Sequence, residues 1–294
     1  MKYSYQSHFL VILATIIVAG SFIASDRLSG IINSISLTLL RFTIAALILL
    51  PFILLHSKWR RSLPRIIPRT LVISFFYSVF FIALFESLNY TNTLNTATLF
   101  TLVPFVTAIF CLFIFKQSIK YKQLLAYIFG AIGTIWVIFE GDIYAFLNFQ
   151  LNKGDIIFLM GALSMCCYSV AMKWLYRGDD MIPLVFATLI GGSIWMALAL
   201  LFTGQDLEWH KIEGHLVLHM AYLSIAATLI TMYLYQRATV DLGPSKVMAY
   251  SYLTPSFLAL LLLLFYHQPV SNMAIPGLII SSMATLLLQK KDSK

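Results

Sequence analysis

Apolar runs of about 20 residues recur along the whole chain, and no other feature of the sequence constrains the fold as strongly. A run of this length is what an α-helix needs to cross the hydrocarbon core of a bilayer. Of the 294 residues, 60% are hydrophobic and only 11% are charged, whereas an ordinary soluble domain carries about 25% charge. These values disfavour a soluble enzyme and leave no room for a separate soluble domain.

A hydropathy window of about 19 residues predicts ten such helices. They are expected at residues 8–25, 34–55, 70–89, 94–115, 121–140, 155–176, 182–203, 216–237, 246–266 and 272–289. Pro64 and Pro68 place the stretch from Lys58 to Arg69 in a loop before the third helix. The predicted fold class is an all-α membrane protein with ten transmembrane helices.

Lys and Arg residues concentrate on one side of this arrangement. With a cytoplasmic N-terminus, 16 of the 20 fall in cytoplasmic segments, three fall outside, and Arg41 lies within a helix. Because basic residues favour cytoplasmic loops, the split predicts a multi-pass protein of the cytoplasmic (inner) membrane with both termini cytoplasmic. The net charge of +8 then indicates orientation and contact with membrane lipid rather than a nucleic-acid partner.

The second half of the chain repeats features of the first at a shift of 151 residues, which aligns Pro104 with Pro255. A looser shift of 148 aligns Ala14 and Ser21 with Ala162 and Ser169. Five helices per half make the second copy enter the membrane from the opposite side, so the repeat is inverted. Inverted repeats place a binding site at their interface near the bilayer midplane.

Small residues at four-residue spacing form matching rows in the fifth and tenth predicted helices. The 151-residue shift aligns Ala126, Gly130 and Thr134 with Gly277, Ser281 and Thr285. Small rows let helix backbones approach closely in lipid. These rows can pack within one chain, or between two chains to give a homodimer through helices 5 and 10.

Several of these residues resemble the EamA family of the drug/metabolite transporter superfamily. The resemblance rests on Leu40-Arg41-Phe42, Leu88-Asn89-Tyr90-Thr91, the mid-helix prolines and the small-rich fifth and tenth helices. It covers nearly the whole chain, once per half, and implies a ten-helix carrier with repeats at 1–141 and 154–290. The family exports amino acids or other small metabolites through a cavity lined mainly by helices 1, 3, 4, 6, 8 and 9. Members commonly have Gly-Glu after the fourth and ninth helices, where this chain has Lys116-Gln117 and His267-Gln268.

Arg41 and Glu86 are ionisable residues within predicted apolar helices, where charge is costly and marks functional positions. They lie roughly 6 Å and 10 Å from their helix centres on the same side, at 1.5 Å per residue. These depths predict an Arg41–Glu86 ion pair that either fixes the second helix to the third or binds a charged substrate group. A snorkelling Arg is the other alternative. A proton-coupled transporter would use Glu86, whereas a facilitator needs no acid.

Polar side chains gather near the two mid-helix prolines, where hydroxyls can either satisfy freed carbonyls or line a midplane pocket. Tyr168 joins such a pocket if the sixth helix faces the cavity. The predicted substrate-binding residues are Arg41, Glu86, Asn95, Thr98, Thr101, Tyr168, Tyr250 and Tyr252, and the predicted hinges are Pro104 and Pro255.

Two histidines supply a rival hypothesis. His215 and His219 are four residues apart, hence on one helical face with metal-ligand spacing. The segment between them lacks the Glu of a HEXXH hydrolase. We therefore expect a transporter, not an enzyme, that needs no cofactor or metal and moves a small-molecule substrate by alternating access. A membrane enzyme with an outer histidine metal site and a non-transporting scaffold are the alternatives.

Overall fold

The computed structural model describes residues 2–28, 30–91, 93–267 and 272–289, and all regular structure in these ranges is helical. The predicted repeat limit at 290 and Gln268 lie outside them. The main helices are α1 Lys2–Leu28, α2 Ser34–Leu55, α3 Ser57–Ser87, α4 Asn95–Phe115, α5 Tyr121–Ile138, α6 Lys153–Leu175, α7 Met181–Thr203, α8 His215–Leu242, α9 Pro244–Tyr266 and α10 Ile275–Gln289.

Nine helices of the described ranges, α1 to α9, are long and apolar enough to cross a membrane. The tenth, α10, is apolar but has only 15 residues, or about 22 Å at 1.5 Å per residue. A hydrocarbon core is about 30 Å thick. The described part of α10 is thus shorter than a full crossing.

The predicted loop from Lys58 to Arg69 is wrong, because these residues form the first part of the 31-residue helix α3. Pro64 and Pro68 lie inside the helix, four residues apart and both exposed. Residues at this spacing share one helical face, so the carbonyls that they leave unpaired face outward, where solvent can reach them. The basic part of α3 is tied to the α6–α7 loop by the Arg69–Asp179 and Lys58–Asp180 ion pairs, both 2.8 Å long. The hydrogen bond from Lys58 holds the pKa of Asp180 below its ordinary value.

Both mid-helix prolines follow an interruption of their helix. In α4, a turn at 101–102 separates the segments Thr93–Phe100 and Val103–Phe115. In α9, the 3₁₀ turn Tyr250–Leu253 precedes the segment Thr254–Tyr266. Pro104 and Pro255 are each the second residue of the new segment, where a missing N–H costs little. The two helices therefore break at equivalent positions.

The two halves also share an unusual backbone conformation. Lys116 ends α4 and His267 ends α9, and both adopt the left-handed conformation with φ of 52° and 53°. Their numbers differ by the repeat shift of 151. This conformation favours glycine, because a Cβ clashes there with the following carbonyl.

Replacing Lys116 or His267 with Gly is expected to stabilise the protein by about 0.5–1 kcal/mol, because the left-handed strain is removed. Thermal unfolding in detergent measures the effect. Lys122→Gly in the first turn of α5 is the matched control, which removes the same side chain from an ordinary helical position and should destabilise by about 0.5–1 kcal/mol. A destabilised Lys116→Gly variant would contradict the prediction.

Most contacts between the two five-helix halves are reciprocal when each helix is matched to the one five places later. In the contacts α2–α7, α4–α9 and α5–α10, each helix packs against its own counterpart in the other half. Most of the remaining contacts come in equivalent couples, α3–α6 with α1–α8, α3–α7 with α2–α8, and α4–α6 with α1–α9. The contact of α5 with α9, made through Tyr252, is the exception. Two units related by a twofold axis would produce this pattern.

The predicted small-residue row of α10 packs on α5 within the chain, but the α5 residue in this contact is Gly133 and not Gly130 of the predicted row, which lies against Tyr252 of α9. A Cβ added to Gly133 of α5 would lie 2.6 Å from the backbone nitrogen of Ser281, and one added to Gly277 of α10 would lie 2.6 Å from the Gly133 carbonyl oxygen. Thr134 and Thr285 donate hydrogen bonds to carbonyls one turn back in their own helices. The α5–α10 contact is therefore nearly backbone to backbone.

Candidate functional site

Arg41 lies in the interior of the bundle, in the middle half of α2, with 6% of its surface exposed. Its Nε donates a 3.2 Å hydrogen bond to Thr228 Oγ1 of α8. Its guanidinium carbon lies 5.6 Å from the ring centre of Phe81 on α3, within cation–π range. No carboxylate of a described residue forms an ion pair with it.

The predicted Arg41–Glu86 ion pair is wrong. Glu86 is exposed near the end of α3, and its carboxylate accepts a 3.2 Å hydrogen bond from the Asn89 amide. Phe81, which faces Arg41, lies five residues earlier on the same helix. At 3.6 residues per turn, five residues rotate a side chain by about 140°. The two charges have similar predicted depth, but Glu86 faces away from Arg41.

Aromatic side chains from both halves cluster around Tyr77, next to the Phe81 ring that contacts Arg41. The ring of Tyr77 lies 5.0 Å from that of Phe81, 5.7 Å from that of Phe42 and 4.6 Å from that of Tyr168 on α6. Phe42 and Tyr168 are buried. Tyr77 packs among them and among two core clusters, yet remains partly accessible.

Gln236 of α8 supplies a second polar group beside these rings. It is 1% exposed, and its Nε2 donates a 3.2 Å hydrogen bond to Thr188 Oγ1. Its Oε1 is buried and accepts no hydrogen bond within the described part of the chain. The Tyr168 hydroxyl lies near this amide. We call the connected residues the central cluster: Arg41, Tyr77, Phe81, Tyr168, Thr228 and Gln236.

A wide turn in α8 accompanies the central cluster. Residues Tyr222–Ile230 form a π-helical segment in which the Thr228 hydroxyl donates to the Leu223 carbonyl, five residues back. The same hydroxyl oxygen accepts the hydrogen bond from Arg41. π-Helical turns are rare and occur frequently at functional sites. The turn therefore helps to set the position of Arg41.

Asn95 lies in a separate polar network at one end of the bundle. Its amide donates to both carboxylate oxygens of Asp155 at 3.2 Å. Asp155 is fully buried and also accepts a 2.6 Å hydrogen bond from the Thr91 hydroxyl and a 2.8 Å hydrogen bond from the Asn152 backbone nitrogen. This Asp155 network joins the end of α3, the start of α4 and the start of α6.

A smaller network occupies the opposite end. Ser7 of α1 donates a 2.8 Å hydrogen bond to Asp241 near the end of α8, which also pairs with Arg237 at 3.4 Å. Ser7 corresponds to Asp155 under the 148-residue shift, and Asp241 corresponds to Tyr90, next to Thr91, under the 151-residue shift. We call this the Asp241 network. Each end of the bundle thus carries a hydrogen-bonded contact between equivalent helices.

The other predicted binding residues serve helix breaks and packing. Thr101 donates a 2.7 Å hydrogen bond to the Thr98 carbonyl, directly before the break in α4. The Tyr250 hydroxyl is 2.8 Å from His8 Nδ1. The Tyr252 hydroxyl donates to the Tyr127 carbonyl at 3.1 Å, and its ring covers Gly130. Of the eight predicted residues, only Arg41 and Tyr168 belong to the central cluster.

The histidine pair of α8 does not assemble a larger ligand set in the described residues. The His215 and His219 rings lie 6.3 Å apart at right angles; His215 is exposed and His219 is half-buried. Within the described ranges, no three His, Cys, Asp or Glu residues are grouped as metal ligands would be. The rival hypothesis of a metal enzyme therefore finds no supporting geometry here.

Sequence comparisons relate the chain to proteins named as transporters, and a structure comparison shows that its fold occurs in a solved structure. The chain is 24% identical over 217 residues to uncharacterized transporter YyaM of Bacillus subtilis (strain 168), covering 73% of this chain and 71% of the relative. Uncharacterized transporter YdfC of the same strain is 24% identical over 221 residues, or 75% and 70% of the two chains. A solved crystal structure with 17% sequence identity covers 96% of both chains with a TM-score of 0.78.

The sequence model of the EamA-like transporter family matches residues 6–139 and again residues 152–289. The two matches exclude only the chain ends and the connection between α5 and α6. Together with nine described helices of membrane-spanning length, they identify a multi-pass membrane protein. The chain belongs to the EamA-like transporter family.

Proposed function

We propose that this protein is a secondary transporter of the cytoplasmic membrane that exports a small metabolite, such as an amino acid or an amphipathic compound, by alternating access. The observation that carries the proposal is the central cluster. A buried cation, tyrosine rings and an amide with an unpaired oxygen meet where the two halves join. Burying such groups inside a membrane bundle is energetically costly, and where they occur they mark substrate or ion pathways.

The two halves, residues 1–141 and 154–290, act as an inverted repeat in this proposal. The reciprocal helix contacts, the paired helix breaks and the matching left-handed residues support this assignment. The 16 basic residues on one side favour cytoplasmic termini. In inverted-repeat transporters, one unit rocks against the other around a fixed midplane site.

The Asp155 and Asp241 networks are suited to close the two ends alternately. Each joins a helix of one half to the adjoining helix ends of the other half. Opening the bundle at either end requires the network there to separate. Pro104 and Pro255, beside the breaks in α4 and α9, would serve as hinges, because few backbone hydrogen bonds resist bending there.

An untargeted comparison of metabolites in the growth medium tests this function. Cells that express the wild-type protein, the Arg41→Gln variant or no protein are compared, and the metabolite with the largest difference is measured in proteoliposome flux. We expect one or a few small metabolites to accumulate outside wild-type cells and to remain near background with Arg41→Gln. Equal medium composition in all three strains, with no flux in vesicles, would contradict the proposal.

A further inference from the structure

Arg41 is a buried charge with no acid to neutralise it in the described structure. Its partners are a hydroxyl and an aromatic ring. Every Asp and Glu of the described ranges lies in a loop or within three residues of a helix end, and none forms an ion pair with Arg41. Burying an unpaired guanidinium in a bilayer is expensive. The site is therefore electrostatically incomplete until an anion enters.

The guanidinium keeps hydrogen-bonding capacity that suits one kind of anion. Nε is engaged by Thr228, and the face of the guanidinium is near Phe81. The two Nη atoms make no hydrogen bond within the described residues, and neither is a fully enclosed atom. A planar carboxylate can accept hydrogen bonds from both Nη atoms at once, which is the arrangement that Arg favours over a point charge.

We propose that the transported substrate is a small carboxylate with an apolar body, bound through its carboxylate group to Arg41. This inference rests on the proposed function and specifies its substrate class. The rings of Tyr77 and Phe81 provide apolar surface beside the bound group. No described carboxylate in the central cluster is available to bind an ammonium group. The α-amino group of an amino acid is therefore dispensable, and a simple monocarboxylate binds as well as a zwitterion of the same size.

Three probes with the same phenyl body separate these charge requirements: 3-phenylpropionate (anion), L-phenylalanine (zwitterion) and 2-phenylethylamine (cation). Binding to wild-type protein in nanodiscs at pH 7 is measured by calorimetry. We expect the first two to bind with similar affinity and the amine to give no measurable binding. Stronger binding of the amine, or no binding of either carboxylate, would overturn the assignment without any variant being made.

Variants of Arg41 locate the interaction. Arg41→Gln should weaken binding of 3-phenylpropionate by at least roughly tenfold, because the charged hydrogen bonds are lost. Arg41→Lys should retain part of the affinity, because the lysine ammonium keeps the positive charge but cannot donate two parallel hydrogen bonds as a guanidinium does. Arg61→Gln, an identical substitution at an exposed position of α3, should bind as wild type does. Wild-type affinity in a folded Arg41→Gln protein would overturn the role of Arg41.

The test of carboxylate binding and the test of transport can fail independently. Carboxylate binding that depends on Arg41, with no flux of any metabolite, would support the site and contradict transport. Flux of a cationic metabolite, with no carboxylate binding, would support transport and overturn the substrate class. Flux of a carboxylate that is lost in Arg41→Gln supports both.

Discussion

Replacing Asp155 with Ala is expected to destabilise the protein by about 3 kcal/mol or more. The carboxylate is fully buried and accepts hydrogen bonds from Thr91, Asn95 and Asn152. Its removal takes away the acceptor of these hydrogen bonds, and hydrogen bonds to a charged group contribute about 1.5–3 kcal/mol each. Thermal unfolding in detergent and denaturant titration measure the loss.

Two companion variants show whether the loss comes from this network. Asp155→Asn keeps the size of the side chain and one carbonyl acceptor, so its loss should be smaller than that of Asp155→Ala. Ser7→Ala removes the single hydrogen bond to Asp241 at the other end and should cost about 1 kcal/mol. An Asp155→Ala protein as stable as the wild type would contradict the structure of this network.

Replacing Gly133 with Val is expected to destabilise the protein by about 2–3 kcal/mol. Even a Cβ at this position would lie 2.6 Å from a backbone nitrogen of α10 and 3.0 Å from the Gly277 carbonyl oxygen. Backbone atoms cannot move aside as a flexible side chain can, so α5 and α10 must separate and lose packing. Overpacking a tight contact costs about 1–3 kcal/mol, and this site should fall near the upper limit.

Ile128→Phe is the control for added bulk in the same helix. Ile128 is on the exposed face of α5, so the larger ring should change stability by less than about 0.5 kcal/mol. The pair also bears on a homodimer through helices 5 and 10, since Gly133 and the small row of α10 already pack together within the chain. A Gly133→Val protein that keeps full stability but loses an oligomeric state would contradict this packing and assign the rows to a dimer contact.

The positions of most helices could be predicted from hydropathy alone. The expected helix 34–55 coincides with α2, and 182–203 differs from α7 by one residue. The basic start of α3 could not be predicted in this way, because the window detects hydrocarbon-crossing segments and treats prolines as breaks. A proline leaves the carbonyl four residues before it without a hydrogen bond. Whether the helix continues depends on whether that carbonyl faces solvent or the protein interior, and only the packing of the helix determines which.

Only part of the central cluster was predictable, because hydropathy and depth along a helix do not show which way a side chain faces. Arg41 was recognisable, since a charge in an apolar run has few structural explanations. Its partners were not, because the comparison with Glu86 used depth along the helix and ignored rotation around it. Tyr77 and Phe81 are four residues apart and share one face of α3, which was the available signal for an aromatic surface. Thr228 carries no such signal, because its position depends on the π-helical turn of α8.

Paired distances across both ends of the bundle test the central claim, that two inverted halves open alternately around the central cluster. Spin labels replace Leu88 and Leu151 beside the Asp155 network, or Tyr5 and Leu242 beside the Asp241 network. Cys111, Cys166 and Cys167 are replaced by Ala in both labelled proteins. Double electron–electron resonance then reports each end separately.

We predict that Asp155→Asn lengthens the Leu88–Leu151 distance and leaves the Tyr5–Leu242 distance short, because one end opens while the other stays closed. Ser7→Ala should lengthen the Tyr5–Leu242 distance and leave the Leu88–Leu151 distance short. Distances that lengthen together at both ends, or that remain unchanged in both variants, would contradict alternating access in this protein.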